Sequence, residues 1–376
     1  MNWGGGGGSR NHKDIGNFPE CGGYHQSHHQ RFGGAVVKIV VVFVLIGLTL
    51  VFVNKSDNST LFMDRFSKPS QKILSPPSFD VVQGDEFKSE DLSPYGNLEN
   101  TLKRAAMEDN KTVIITTLNA AWTEPNSIFD LFLESFRIGN GTQYLLKHLV
   151  VVALDRKAYS RCMDANLHCF DLAGDGVDYS GQVYYMTSNY LKMVWRRTDF
   201  LRTVLQLGYN FVFSDADIMW LRDPFTRFYP DGDFQIACDN YNHNSTDLGN
   251  FPNAGFTYVK SNNRTIEFYK FWYNGIYYFP GKNEQYVLNM IKFSPFISEI
   301  GLDIRFLDTA YFGGFCEPAK DLDLVVTMHA NCCVGLGKKI HDIKILIDDW
   351  KRYSGNNSSP VSWTVPIECG LKNSTN

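Results

Sequence analysis

The sequence predicts an α/β fold: a single domain with a mainly parallel central sheet flanked by helices, preceded by one transmembrane helix. Three observations support this class. Of the 376 residues, 44% are hydrophobic and 20% are charged, which is a globular composition. From about residue 98, short apolar runs alternate with amphipathic stretches, as in parallel sheets with crossover helices. One earlier apolar run has the length of a membrane span.

The individual elements follow from the spacing of the apolar residues. Buried strands are predicted from apolar or β-branched runs at 112–117, 148–154, 210–214, 233–238 and 255–260. Helices are predicted after Pro125 and over 187–207, 264–277 and 284–292. Because strands and helices alternate, the sheet is expected to be mainly parallel.

Residues 35–53 form an apolar run in which Lys38 is the only charge, so they are predicted to be a transmembrane signal anchor. A cleaved signal peptide is the rival interpretation. The run follows a 34-residue tail, however, and no small-residue cleavage site comes after it. A buried core helix would be amphipathic, whereas this run is apolar all round.

The charge distribution predicts which side of the membrane each part occupies. Residues 1–53 carry a net charge of +2 and the rest −6, which favours a cytosolic N-terminus and a lumenal C-terminus. The total of −4 excludes an electrostatic nucleic-acid binder. Glycosylation acceptors of the Asn-x-Ser/Thr type all follow the apolar run, at Asn54, Asn58, Asn110, Asn140, Asn244, Asn263, Asn356, Asn357 and Asn373. A single-pass type II membrane protein is therefore expected.

Five segments are predicted along the chain. Residues 1–34 form a disordered cytosolic tail, 35–53 the anchor, 54–97 a stem, 98–355 the globular domain, and 356–376 a C-terminal tail.

Seven cysteines follow the anchor, so an oxidising lumen should leave at least one of them unpaired. Cys332 and Cys333 are adjacent and poorly placed to bond each other, so each is expected to pair with a distant cysteine. The connectivity is open at this stage.

The most specific motif is a pair of carboxylates, Asp215 and Asp217, directly after the apolar strand at 210–214. In extended backbone these side chains would point to the same side, at the strand end where open α/β sheets bind ligands. Two adjacent anions favour a shared divalent cation, and carboxylate oxygens suit Mn²⁺ or Mg²⁺ with a substrate's phosphates. The alternative is a pair of turn aspartates that bond their own backbone.

A second cluster combines His329 with Gly335, Gly337 and Lys338. The imidazole could complete a metal site, the glycines would let backbone N–H groups approach a phosphate, and Lys338 would add a positive charge. A structural histidine after an apolar strand is the alternative.

These motifs occur in an order that resembles nucleotide-sugar glycosyltransferases of the GT-A fold. The acidic strand end is followed by Asn253-Ala-Gly255-Phe, by Glu284-Gln285 and by the His329 cluster. The runs at 116–119, 190–197 and 308–314 look like plant members of glycosyltransferase family 77, which includes rhamnogalacturonan II xylosyltransferases and extensin arabinosyltransferases. The resemblance covers residues 98–355.

The resemblance implies a Golgi enzyme that transfers a sugar from a UDP-sugar, with retention, to a cell-wall polysaccharide or glycoprotein acceptor. Asp215, Asp217 and His329 would hold Mn²⁺ or Mg²⁺, with Asp215 also near the ribose. The remaining implied contacts are Thr117, Asn119 and Lys192 with the uridine, Gly337 and Lys338 with the diphosphate, and Asn253 and Gly255 with the sugar and acceptor.

Glu284 and Gln285 would be catalytic, close to the sugar as it becomes oxocarbenium-like. Many retaining relatives have an aspartate before the glutamine, and this sequence has a glutamate. The identity of any nucleophile is therefore open.

Two other function classes compete with the transferase. A haloacid-dehalogenase-type phosphatase also has two aspartates after an apolar strand, but small residues usually follow them, whereas 218–220 here are Ile-Met-Trp. A non-catalytic lumenal glycan-binding protein could use stacking tyrosines. The tyrosines considered for stacking, whose alternative is ordinary core packing, are Tyr184, Tyr185, Tyr277 and Tyr278.

Overall fold

A computed structural model describes residues 94–173, 176–355 and 361–370. The predicted cytosolic tail 1–34, the anchor 35–53 and nearly all of the stem 54–97 lie outside the described residues. Within the described part of the chain, no helix combines the length and apolar character needed to cross a bilayer.

A seven-stranded sheet forms the centre of the described domain, in the order β3-β2-β1-β4-β7-β6-β8. The adjacent strands β3, β2, β1 and β4 run parallel to one another, and β6 runs parallel to β8. Strand β7 runs antiparallel to its neighbours β4 and β6. The predicted mixed α/β fold with a mainly parallel sheet is confirmed. The strands are β1 Thr112–Leu118, β2 Leu149–Ala153, β3 His168–Asp171, β4 Asn210–Ser214, β6 Phe234–Asn240, β7 Phe251–Val259 and β8 Ile304–Phe306.

Helices cover both faces of this sheet, because its strands are apolar on both sides. In β1, Ile114 belongs to one buried cluster while Val113 and Ile115 belong to the other. The helices are α1 Pro94–Ala105, α2 Ala120–Thr123, α3 Ile128–Ile138, α4 Arg156–Asp164, α5 Ser188–Gln206, α6 Asn263–Tyr278, α7 Glu284–Ile291, α8 Pro295–Glu299 and α9 Leu336–Ser354, with 3₁₀ turns at Gln143–His148 and Pro224–Thr226.

A smaller sheet, β5-β10-β9, continues from the end of β4. Its strands are β5 Ile218–Trp220, β9 Phe312–Gly314 and β10 Thr327–His329. β10 runs antiparallel to β5, so that His329 pairs with Ile218. This register brings a distant histidine beside the residue that follows Asp217.

The strand order reverses at β1. The chain moves outward through β2 and β3, and β4 then returns to the other side of β1. Open α/β sheets bind ligands at such a switch point, outside the carboxyl ends of the strands. The crevice beyond β1 and β4 is therefore the expected place for a site.

Three disulfides and one free thiol are present in the described residues. Cys332 pairs with Cys316 and Cys333 with Cys369, so the prediction that the adjacent cysteines find distant partners is confirmed. Cys162 pairs with Cys169, and the buried Cys238 is free, as the odd count required.

Residues 361–370 pack on α9 and belong to the domain, although they fall within the predicted tail 356–376. The buried Asp342 carboxylate accepts hydrogen bonds from the backbone N–H groups of 367–369, at 2.8 to 3.1 Å. Asp349 accepts from Thr364 N and Oγ1, each at 2.7 Å. Two buried carboxylates thus hold this segment against α9.

Candidate functional site

A cavity of about 580 Å³ opens at the carboxyl ends of β1 and β4. This volume suits a ligand larger than a simple sugar. Of the residues predicted to form the site, those that line it are Thr117, Asn119, Asp215, Asp217, Asn253, Gly255, Glu284, Gln285 and His329.

The two aspartates lie in a turn between β4 and β5. Ile218 N donates to the Asp215 carbonyl at 3.2 Å, and Asp215 N donates to the Gly255 carbonyl at 2.7 Å. The expectation that an extended backbone sets the two carboxylates on one side is wrong. The turn itself, which connects the two sheets, brings them to the cavity.

His329 completes an Asp-Asp-His group. Ala330 N donates to the Asp217 carbonyl at 3.0 Å, which fixes the end of β10 against the turn. His329 Nε2 lies 3.3 Å from Asp217 Oδ1, and one potential ligand atom from each of Asp215, Asp217 and His329 lies within 4.8 Å of the others.

These three side chains fit a divalent metal ion. Asp217 is only 1% exposed, and its Oδ1 atom is buried with no hydrogen-bond partner among the described residues. Burying such an oxygen unpaired is costly, so a cation is the natural partner. A Cβ atom at Gly255 would lie 2.7 Å from both Asp215 Oδ2 and His329 Cε1, so the glycine leaves space at the group.

Lys339 forms an ion pair with Asp217 Oδ2, and we call Lys339, Asp217 and His329 the Lys339 cluster. Burial alone would raise the pKa of Asp217, but the Lys339 ammonium and the His329 imidazole hold it below its ordinary value. Lys338, the predicted diphosphate residue, does not line the cavity; Lys339 does.

Arg197 joins Asp215 to Glu284, and we call these three residues the Arg197 cluster. The guanidinium donates to Asp215 Oδ1 at 2.8 Å and to Glu284 Oε1 at 2.7 Å, and it lies 4.6 Å from the centre of the Phe213 ring. Burial holds the pKa values of both Asp215 and Glu284 above their usual range despite this cation. Sequence reasoning assigned Arg197 no role, although it lies in the family-like run at 190–197.

At the other end of the cavity, Thr117 lies at the end of β1 and Asn119 caps α2. The Asn119 amide donates to the carbonyls of Tyr179 and Gly181, at 2.8 and 3.0 Å. It therefore holds the loop beside the cavity. Lys192 is exposed and does not line the cavity.

The first turn of α9 also reaches the cavity. Gly335 has a positive φ of 108° and precedes the helix, while Leu336 and Lys339 face the cavity. Gly337 lies inside the helix and does not line the cavity. Backbone N–H groups at a helix N-terminus bind phosphate, so this end of α9 suits an anionic ligand.

Comparison with known protein families shows the class of this protein. The family described as nucleotide-diphospho-sugar transferase matches residues 144–343, more than half of the chain. The chain belongs to this family, and the predicted resemblance to plant family 77 enzymes is confirmed. The family implies a nucleotide-sugar donor and a glycan acceptor, and nothing in these comparisons supports the phosphatase alternative.

Several known proteins are similar to this chain. Uncharacterized protein At4g15970 of Arabidopsis thaliana is 50% identical over 285 residues, which are 74% of each chain. UDP-D-xylose:L-fucose alpha-1,3-D-xylosyltransferase 3 of the same plant is 26% identical over 63% of this chain and 57% of its own length. Among solved structures, a glycosyltransferase involved in glycosylation of the major capsid of PBCV-1 aligns with a TM-score of 0.37 and 10% identity, over 62% of this chain and 98% of that one. The GT-A assignment stays a prediction.

Proposed function

We propose that the protein transfers a sugar from a UDP-sugar to a glycan or glycoprotein acceptor, using Mn²⁺ or Mg²⁺ held by Asp215, Asp217 and His329. The observation that carries this proposal is the Asp-Asp-His group on the cavity wall, in which the buried Asp217 Oδ1 accepts no hydrogen bond and has the His329 ring 3.3 Å away. A UDP-sugar donor is further supported by the name of the xylosyltransferase relative, which specifies UDP-D-xylose.

Different side chains in the cavity would bind different parts of the donor. Thr117, at the end of β1, lies on the side proposed for the uridine, and Lys339 with the first turn of α9 supplies positive charge for the diphosphate. When bound, the cation would act as a Lewis acid that stabilises charge on the departing diphosphate.

We further propose that the transfer retains configuration by displacement on the front face. The acceptor oxygen bonds to the anomeric carbon as the bond to the UDP phosphate breaks, and the acceptor proton passes to the departing phosphate oxygen. Gln285 contributes an amide beside the sugar. Glu284 is only 3% exposed and is paired with Arg197, so it acts by holding that cation in place.

The proposed location is the Golgi membrane, with residues 35–53 as a type II anchor, 54–97 as a stem and the catalytic domain in the lumen. The three disulfides suit an oxidising compartment. The acceptor asparagines within the described residues have exposed side chains; they are Asn110, Asn140, Asn244 and Asn263. Protection from protease in intact vesicles, together with a mass shift after deglycosylation, would test this orientation.

The transferase proposal is tested by incubating the purified protein with Mn²⁺ and each of UDP-xylose, UDP-arabinose and UDP-galactose, and measuring released UDP. At least one donor should give metal-dependent release, and Asp217→Asn should lower it by about 1,000-fold, since several kcal/mol of charge stabilisation disappear. The exposed residue at the end of α4 provides the control, Asp164→Asn. Full activity of Asp217→Asn would refute the metal role.

A further inference from the structure

One more carboxylate, Asp239 near the end of β6, lines the same cavity. Three side-chain amides donate hydrogen bonds to it. Asn253 Nδ2 and Asn331 Nδ2 reach Oδ1 at 2.7 and 2.8 Å, and Gln285 Nε2 reaches Oδ2 at 2.9 Å. Asp239 therefore connects β6, β7, the start of α7 and the segment after β10.

The orientation of each amide is fixed by the backbone. The oxygen of Asn253 accepts from Gly255 N at 2.9 Å, that of Gln285 from Ala254 N at 3.1 Å, and that of Asn331 from Cys316 N at 3.1 Å. Since the oxygens are engaged by N–H donors, the nitrogens must face Asp239. Each NH₂ group carries a second hydrogen, and all four side chains line the cavity.

This network adjoins the proposed metal group. A Cβ atom at Gly255 would meet Asp215 Oδ2, His329 Cε1 and Asn253 Oδ1 within 2.7 to 2.8 Å, so these three side chains converge on one point. Asn331 is two residues beyond His329. A sugar is joined directly to its diphosphate, so a diphosphate held at the metal group would bring its sugar next to Asp239.

Asp239 differs from the other two aspartates of the cavity in its charge balance. Asp215 is paired with Arg197 and Asp217 with Lys339, whereas no described lysine, arginine or histidine forms an ion pair with Asp239. The contacts of this partly buried carboxylate are neutral groups, namely the three amides and the disulfide sulfur of Cys316 at 3.4 Å, so it can accept further hydrogen bonds. Sugar hydroxyls are donors of the right kind, and the second amide hydrogens suit sugar oxygens.

We propose that Asp239 and Asn331 add to the sugar side of the cavity, where the family resemblance places Asn253 and Gln285, and complete a subsite for the hydroxyl groups of the donor's sugar ring. Asp239 accepts from a ring hydroxyl and holds the Gln285 amide in place beside the anomeric carbon. This inference rests on the proposed function, and it adds to that function the group that recognises the transferred sugar. The subsite contacts the sugar and not the nucleotide.

The test compares binding of UDP with binding of the UDP-sugar that gives the fastest UDP release, by titration calorimetry with Mn²⁺. In Asp239→Asn, affinity for the UDP-sugar should fall about tenfold or more, while affinity for UDP changes less than about twofold. Turnover should fall by about 100-fold. Asp164→Asn should change none of these values.

Three other results would contradict the role proposed for Asp239. Equal loss of UDP and UDP-sugar affinity would make Asp239 a structural residue and overturn the proposal, as would no loss of either. If the unaltered protein binds no UDP with Mn²⁺, the proposed function itself fails, and this inference fails with it.

A second measurement covers the case in which Asp239→Asn does not fold. Deoxy analogues of the same UDP-sugar, each lacking one ring hydroxyl, are titrated against the unaltered protein. At least one analogue should bind about tenfold more weakly than the parent UDP-sugar, because loss of the hydroxyl leaves buried polar groups of the protein unpaired. Equal binding of every analogue would overturn the proposal. If the variant folds, it should no longer discriminate against that analogue.

Discussion

The Arg197 cluster and the Lys339 cluster each pair a cation with one aspartate of the same turn, but they differ in how many carboxylates the cation contacts. Arg197 is committed to two carboxylates from two elements and packs against Phe213. Lys339 forms an ion pair with Asp217 Oδ2 and lies 5.9 Å from the centre of the Trp122 ring, while Asp217 Oδ1 faces the His329 ring at 3.3 Å. A planar guanidinium suits a fixed bridge, whereas a lysine is a point charge on a flexible stem. Asp215 thus belongs to the scaffold as well as to the site, whereas Asp217 keeps one oxygen that no lysine or arginine of the described residues contacts.

The largest effect is expected at Arg197. Arg197→Met should leave the buried Glu284 and the half-buried Asp215 without their shared cation and lower the free energy of unfolding by about 3–5 kcal/mol. Urea denaturation monitored by tryptophan fluorescence measures this. Adding Glu284→Gln should recover part of the loss, since one of the stranded charges is then gone. A loss below about 1 kcal/mol for Arg197→Met would contradict the scaffold role.

Substitution of Lys339 is expected to lower stability by a smaller amount, and Mn²⁺ should reverse that loss. In the presence of a chelator, Lys339→Met should lower the free energy of unfolding by about 2–3 kcal/mol, because a buried carboxylate loses its charged donor. Mn²⁺ should restore most of this stability, since a cation can replace the ammonium at Asp217. The comparison is Arg197→Met, in which the buried Glu284 stays without a cation, so Mn²⁺ should restore a much smaller share of the lost stability. Equal rescue of both variants would remove the distinction between the clusters.

Gly255 lies between the clusters, within reach of Asp215 and His329. Gly255→Ala should push these side chains apart, weaken Mn²⁺-dependent UDP binding about tenfold and cost about 1–2 kcal/mol of stability. Asp164→Asn, at the exposed end of α4, is the control. Calorimetric titration of both variants with UDP measures the difference. Unchanged binding by Gly255→Ala would show that the group tolerates a wider separation.

The smallest expected effect is on the loss of stability at acidic pH. The pKa of Asp217 is lowered by folding, so its contribution to stability is present above its unfolded value of about 4 and is lost as the pH falls below that value. Melting temperatures between pH 3 and 6, in chelator, should therefore fall less steeply for Asp217→Asn than for the unaltered protein. The pKa of Asp215 is raised instead, so Asp215→Asn should not flatten this acid limb. If melting temperature depended on pH with the same slope in all three proteins, opposite pKa shifts at Asp215 and Asp217 would be ruled out.

The sequence predicted the long elements well and the short ones poorly. The strand predicted at 210–214 matches β4, and the helices predicted at 187–207 and 264–277 match α5 and α6 closely. Apolar periodicity over several residues determines such elements. β5, β8, β9 and β10 have three residues each, too few to show any period, and were not predicted. The place of His329 depends on pairing between two of these short strands.

The residues that were missed or misplaced show a related difficulty. Lys338 and Lys339 are adjacent, and one helical position turns a side chain by about 100°, so the choice between them depends on where α9 begins. Arg197 follows another arginine on a helix, a pattern typical of exposed surface. Asp239 belongs to no motif, because its amide partners come from three separate parts of the chain.

The bond between Cys333 and Cys369 has a consequence for biosynthesis. Cys333 is part of the cavity wall, yet its partner comes from the segment that packs on α9 much later in the chain. Asp215, Asp217 and His329 are all synthesised before Cys369, so a nascent chain can contain the whole Asp-Asp-His group before this disulfide can form. Until residue 369 has been made, Cys333 stays a thiol on the cavity wall, so formation of this bond marks the completion of that wall.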